Sequence, residues 1–315
     1  MLTRRHIRVK VMQCIYALTQ SEDDSLEKQQ KFLNVSIANV YSLYLLLLGL
    51  LIELHALVKK HAEHDQKKYL SEEKEHFSDA QRLVNNALLL QLVNNATLKS
   101  EISKRKLNNW YLNEEYVKIL HKAMLESTLY TDYMGAEHTD FEKDRDFVVN
   151  LFRDIIAPNE KVYDYFEDDK LTWVDDIPIV NTFLVKRLKK VKKESMERFF
   201  LPKLLKDEQD MTFAKDLLIK TLLNNAEWEK EIQIKTPKWD KDRIAEIDHI
   251  LLKMAICEFI HFPSIPERVT INEYLEIAKE YSTPKSSIFI NGILDKLVKE
   301  YKSNGKMQKM GRGLL

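Results

Sequence analysis

Arg4, Arg5, Arg8 and Lys10 stand within the first ten residues, and no acid occurs before Glu22. Arg4 and Arg8 are one helical turn apart, with Arg5 beside them. Arginine forks match phosphate oxygens and stack on bases. A run of one sign can also be a solvated helix face, although such faces normally mix signs. Near the other end, Lys285, Phe289, Gly292, Lys296 and Lys299 share one stripe of a helical wheel. An aromatic ring among lysines can stack on a splayed base while the cations track phosphate. A glycine there lets another chain approach closely. The alternative is that Phe289 packs beneath a neighbouring helix. Both stripes suggest binding of nucleic acid.

Other chemistry is not signalled. Six glycines in 315 residues leave no phosphate-cradling loop. Neither HExxH nor CxxC occurs, so no metal or cofactor is expected. His55, His61 and His64 lie close together but lack further ligands and read as ordinary surface histidines. Cys14 and Cys257 sit in apolar helical patterns and make no disulfide framework. A binding protein is favoured over an enzyme.

The elements that must carry these stripes are helical. A sheet protein needs turn residues every ~8–12 positions, whereas this chain has 6 Gly and 7 Pro, the first at Pro158. The expected fold class is therefore all-α. Hydrophobic residues (44%) and charged residues (31%) suffice for a core and a wetted surface. The 49 basic and 49 acidic residues balance, yet they are unevenly placed. Residues 186–206 hold nine basic residues against two acidic, and 159–176 hold seven acidic against two basic. Such patches steer ligands even at zero net charge.

Along the chain, Ile7, Val11, Cys14, Ile15 and Leu18 predict an amphipathic helix over 3–20, with Thr3 as its cap. Long helices are expected over 26–64 and 72–132. The second contains NNALLLQLVNNA, whose paired asparagines have no evident chemical role. The Leu43–Ile52 run is too short to span a bilayer and reads as a buried helix. With no signal peptide, a soluble, cytoplasmic protein is expected. Thr131–Asp140 reads as a polar loop. Phe147, Leu151, Phe152, Ile156, Asn159 and Trp173 are echoed at an offset of 66 by Phe213, Leu217, Leu218, Leu222, Asn225 and Trp239. That echo is either a duplication or a coincidence of helical periods. Further helices are expected over Met211–Glu231, Asp242–Phe262, Asn272–Tyr281 and Ser286–Tyr301. The expected divisions are a first helix (1–20), a helical region with an insertion (21–205), a C-terminal helical domain (206–301) and a flexible tail (302–315).

Three runs stand out in the segment Phe213–Leu297: WDKDRIAEIDHILLKMAICEF (239–259), IPERVTINEYLEIAKEYS (265–282) and SSIFINGILDK (286–296). By these runs the segment resembles the bacterial transcription antitermination factor NusB family. RRHIRVKVMQCIY (4–16) is similar to that family's arginine-rich first helix. Ile7 and Val11 replace the small residues usual there, and Lys285 stands where some members have an acid.

The resemblance implies two small helical bundles and a non-enzymatic role. That role is binding boxA-type single-stranded RNA of ribosomal RNA leader transcripts together with NusE, a small-subunit ribosomal protein, within the RNA polymerase elongation complex. Taken with the stripes, the expected RNA-binding residues are Arg4, Arg5, Arg8, Lys10, Lys285, Ser286, Phe289 and Lys296. Asp248 is expected to face NusE. Two alternatives stay open: a module assisting a ribosomal RNA-modifying enzyme, and a helical scaffold whose basic segments bind acidic protein. The resemblance says nothing of residues 21–205.

Overall fold

The computed structural model describes residues 1–21, 25–68, 81–237 and 244–314. Among them every regular element is a helix. The chain divides into two compact units. Met1–Ile37 with Leu205–Leu315 form a terminal unit, and Ala38–Leu204 form an inserted unit.

The terminal unit is built around α13 (Glu246–His261). Ile250, Leu251, Leu252, Met254, Ala255, Ile256, Cys257 and Phe259 are all buried, so this helix is apolar nearly all round. A central position follows, since each of its buried Leu, Ile, Met and Phe side chains contributes about 1.5–3 kcal/mol. Around it pack α1 (Arg4–Thr19), α11 (Glu208–Leu223), α12 (Asn225–Lys235), α14 (Glu267–Tyr281) and α15 (Ser286–Ser303). Thr3 caps α1 in extended conformation, and its N–H donates to His6 Nδ1 at 3.2 Å. Cys14 and Cys257 are buried. Burial pushes both thiols up to about 12, which leaves them unreactive.

The expected helix Met211–Glu231 is two helices broken at Asn224. The segment expected as a flexible tail folds back on its unit. Met307 is buried, and Met310 N–H donates to Pro263 O at 3.0 Å. Gly313 lies so close to Pro263 that a Cβ would sit 1.9 Å from its carbonyl oxygen, so only glycine fits.

In the inserted unit, α2 (Leu26–Lys68) supplies the core from Val40 to Leu51, and the division between units falls within this helix. By length and composition α2 could cross a membrane, but 67% of its apolar window is buried inside the protein. Trp110 Nε1 donates to Leu46 O at 2.8 Å, and Trp173 Nε1 to Asn39 O at 2.9 Å. His55, expected on the surface, is buried and hydrogen-bonded through Nε2 to Val84 O at 2.8 Å.

The stretch expected as one helix over 72–132 is, in its described part, a chain of short helices. These are α3 (Ala87–Val93), α4 (Ala96–Lys104), α5 (Asn109–Leu112), α6 (Glu114–Leu125) and α7 (Thr128–Gly135). The paired asparagines cause the first breaks. Asn86 Oδ1 accepts from the N–H groups of Leu88 and Leu89, and Asn95 Oδ1 from that of Leu98. Each therefore starts a new helix as a cap. The loop expected from Thr131 begins only after Gly135.

After α7 come α8 (Phe141–Leu151) with a π turn, α9 (Glu160–Asp169), a 3-10 turn ending at Trp173, and α10 (Asp176–Leu188). This order of helix, break, helix and further helix recurs in α11, α12 and α13. Asp144 and Asp210, also 66 apart, are both buried. Trp239 lies outside the described residues.

Candidate nucleic-acid interface

The arginines of α1 are met by acids from distant segments. Arg4 Nε donates to Asp210 Oδ1 at 3.0 Å. Arg5 holds Glu273 with two hydrogen bonds, of 3.1 and 2.9 Å. The bond to Glu273 raises the Arg5 pKa further. Both side chains remain about 40% exposed.

Arg8 is different. It is 2% exposed and pairs bidentately with the fully buried Glu258, at 2.8 and 2.6 Å. Thr270 Oγ1 and Tyr274 Oη donate to the same carboxylate at 2.7 and 3.1 Å, so its oxygens are fully used. Burial opposes the charge on Arg8, but Glu258 outweighs it and keeps the guanidinium protonated. Burial and the Glu258 charge also push the Tyr274 phenol well up. Arg4 and Arg8 both lie over the Phe213 ring, 5.1 Å from its centroid. The expectation that Arg8 contacts RNA is thus corrected: it is a core ion pair. Lys10 is corrected likewise. It is 2% exposed.

The exposed parts of Arg4 and Arg5 open onto a cleft of about 700 Å³, which Thr3, Val269 and Arg312 also line. Arg312 comes from the folded-back tail. It gave no sign in the sequence, because the tail has no periodicity. Burial first, and then the charge of Arg5, lower the pKa of His6 in the same wall.

The stripe on α15 has the opposite character. Ile290, Ile293, Leu294, Leu297, Val298 and Tyr301 form its buried face, as the wheel requires. Lys285, Lys296 and Lys299 are exposed, and none is ion-paired with a described residue. Phe289 is half-buried among them. Gly292 is exposed, with open space where a side chain would stand.

Ser286 and Asp248 do not present themselves to a ligand. Ser286 is 2% and Asp248 5% exposed. Ser286 Oγ and Ser282 Oγ each donate to Asp248 at 2.7 Å. Ser286 Oγ also receives the N–H of Thr283 at 3.2 Å. This cluster ties the start of α15 to the start of α13. A carboxylate on an apolar helix needs partners when buried, and here they come from within the unit. Asp248, expected to face NusE, thus spends its carboxylate on Ser282 and Ser286.

Comparison with known proteins agrees with this architecture. The sequence model of the NusB family matches residues 181–299. A transcription antitermination protein NusB from Salinibacter ruber is 38% identical over 109 residues, which are 68% of that protein and 35% of this chain. The chain belongs to the NusB family. Two further NusB proteins, from Chloroherpeton thalassium and Clostridium botulinum, are 42% and 41% identical. They match over 50% and 70% of their own lengths and 32% and 30% of this chain. No solved structure matches the chain. The family is one of transcription antitermination proteins, and this chain is a long member. The family match takes in α11 to α15 up to Lys299, while α1 and most of the inserted unit lie outside it.

Proposed function

We propose that the protein is a non-enzymatic RNA-binding factor. It acts with NusE on boxA-type RNA of ribosomal RNA leader transcripts, in the RNA polymerase elongation complex of the cytoplasm. The observation that carries this reading is the outer stripe of α15. Three exposed lysines, none ion-paired with a described residue, surround a half-buried ring inside the segment matched by the family. Lysines that need not give up an internal partner can neutralise phosphate, and a ring on the same stripe supplies a stacking platform. Arg4, Arg5 and Arg312 add cations around the cleft at the start of α1.

A titration of a boxA-type RNA oligonucleotide at several salt concentrations, with and without NusE, tests the reading. Binding should weaken log-linearly with salt and tighten when NusE is present. Absence of binding at low salt would remove the RNA role. Binding indifferent to NusE would remove the partner.

A further inference from the structure

The basic run of residues 186–206 is not used by the reading above, and neither are the paired asparagines. The inserted unit brings the two together. The backbone that follows α10 is clamped by Gln91 of α3 and by Asn95, which caps α4. Gln91 Nε2 donates to the carbonyls of Lys192 and Lys193, at 3.2 and 2.8 Å. Asn95 Nδ2 donates to the carbonyl of Glu197 at 3.0 Å. Val191 and Phe200 anchor the loop in the core, and Tyr44 Oη donates to Phe200 O at 3.0 Å. Arg187 is turned back on the loop, where it donates to Phe199 O and lies 3.9 Å from the Phe199 ring centroid.

The charges left outside are of one sign. Lys186, Lys189, Lys190, Lys192, Lys193 and Arg198 are all exposed. None of these six is ion-paired with a described residue. Of the two acids in the run, Glu197 is engaged. Its carboxylate accepts from the N–H and hydroxyl of Thr97, which lower its pKa. Glu194, the other acid of the run, is exposed. The end of α10 adds the negative pole of a helix beneath Lys186 and Lys189, which favours cations there. Here backbone carbonyls of two adjacent lysines are gripped by one glutamine, so the loop is fixed while its ammonium groups point to water.

We infer that this clamped polybasic loop of the inserted unit is a second surface for the phosphate backbone of RNA. The inference rests on the RNA reading of α15. Phosphate binding suits exposed lysines, which act as point charges and release counterions. Protein interfaces, by contrast, are depleted of lysine at their cores. The stripe on α15 is likewise rich in lysines that pair with no described acid.

The test uses the full-length protein and a variant with Lys189, Lys190, Lys192 and Lys193 all changed to Gln. Both are titrated with a single-stranded boxA-type RNA of about 40 nucleotides and with polyglutamate. Each lysine on phosphate adds about 0.7 to the salt slope for single strands. The variant should therefore lose up to about 3 from its slope. That equals roughly a fifty-fold smaller fall in affinity between 50 and 200 mM salt, by the same relation. Ultraviolet cross-linking of the parent should mark a peptide containing 189–193. An unchanged slope in the loop variant would overturn the inference. If a Lys285, Lys296 and Lys299 variant loses slope in the same assay, the α15 reading stands alone. A parent that binds no RNA overturns both. Loss of polyglutamate binding with RNA binding intact would give the loop to an acidic protein instead.

Discussion

The arginines of α1 and the lysines of α15 both flank an apolar stripe of a helix in the terminal unit. Arg4, Arg5 and Arg8 meet Asp210, Glu273 and Glu258, which lie 206, 268 and 250 residues away in sequence. Lys285, Lys296 and Lys299 meet no described acid. A count of local charge treats the two helices alike. The difference lies in where α11, α13 and α14 place their carboxylates. α1 is held into its unit by charge as well as by apolar contact, whereas these three lysines of α15 take no part in such pairing with a described residue. The comparison can be broken at its strongest point first.

Arg8→Ala leaves Glu258 buried without its counter-charge. Breaking a buried pair in this way costs about 3–5 kcal/mol, so denaturant unfolding should show a midpoint shift of that size. Changing Arg8 to Met and Glu258 to Leu together should restore much of the loss, because apolar replacement of a whole buried pair is often near neutral. A single Arg8→Ala variant as stable as its parent would mean that α1 is not locked by this pair.

Asp248→Asn comes next. It removes the charge that two serine hydroxyls share. Hydrogen bonds to charged groups contribute about 1.5–3 kcal/mol, so a loss in that range is expected in thermal or denaturant unfolding. If Asp248→Asn left stability alone and weakened only NusE binding, the cluster would be a partner site after all.

Much of the fold was legible. The scarcity of Gly and Pro gave the all-helical class, and 3–4 residue spacing gave α1, α13 and α15 within a few residues. The family resemblance at 239–296 lies within the segment that the family model matches. The breaks at Asn86, Asn95 and Asn224 were missed, because an asparagine in a helical pattern becomes a cap only where tertiary packing turns the chain. The site was legible in part. The exposed stripe of α15 could be read from its wheel, since one face had to be core. The burial of Arg8, Lys10, Ser286 and Asp248 could not, because long-range pairing decides it. Wheel geometry puts polar residues outside by default, and Glu258 on the apolar α13 was the available sign that a cation must come in to meet it.

The ring on α15 sharpens the contrast further. Phe289 is half-buried rather than core. A core Phe cut to Ala costs about 3–5 kcal/mol, whereas a stacking ring contributes about 1–3 kcal/mol of binding per base. Phe289→Ala should therefore unfold near the parent's temperature and lose RNA affinity in that range. A large fall in melting temperature with RNA affinity per folded molecule unchanged would return Phe289 to the packing of the unit.

The smallest effect is expected where the two helices are compared residue for residue. Arg4 and Arg5 are about 40% exposed and hold their acids at the surface of the cleft. Exposed ion pairs contribute about 0.2–1 kcal/mol, so changing both to Gln should barely move stability. Their effect on RNA should also be modest. A guanidinium that must share itself with Asp210 or Glu273 gains less from phosphate than a lysine with no competing acid among the described residues. A lysine on phosphate contributes about 0.7 to the salt slope, so the Lys285, Lys296 and Lys299 triple variant should lose about 2. The Arg4 and Arg5 double variant should lose less than about 0.7 per residue. Salt titrations of the two variants side by side read this difference directly. An arginine variant that loses as much slope per residue as the lysine variant would show that Asp210 and Glu273 release their partners on binding. The internal pairing of α1 would then be a resting state that RNA opens.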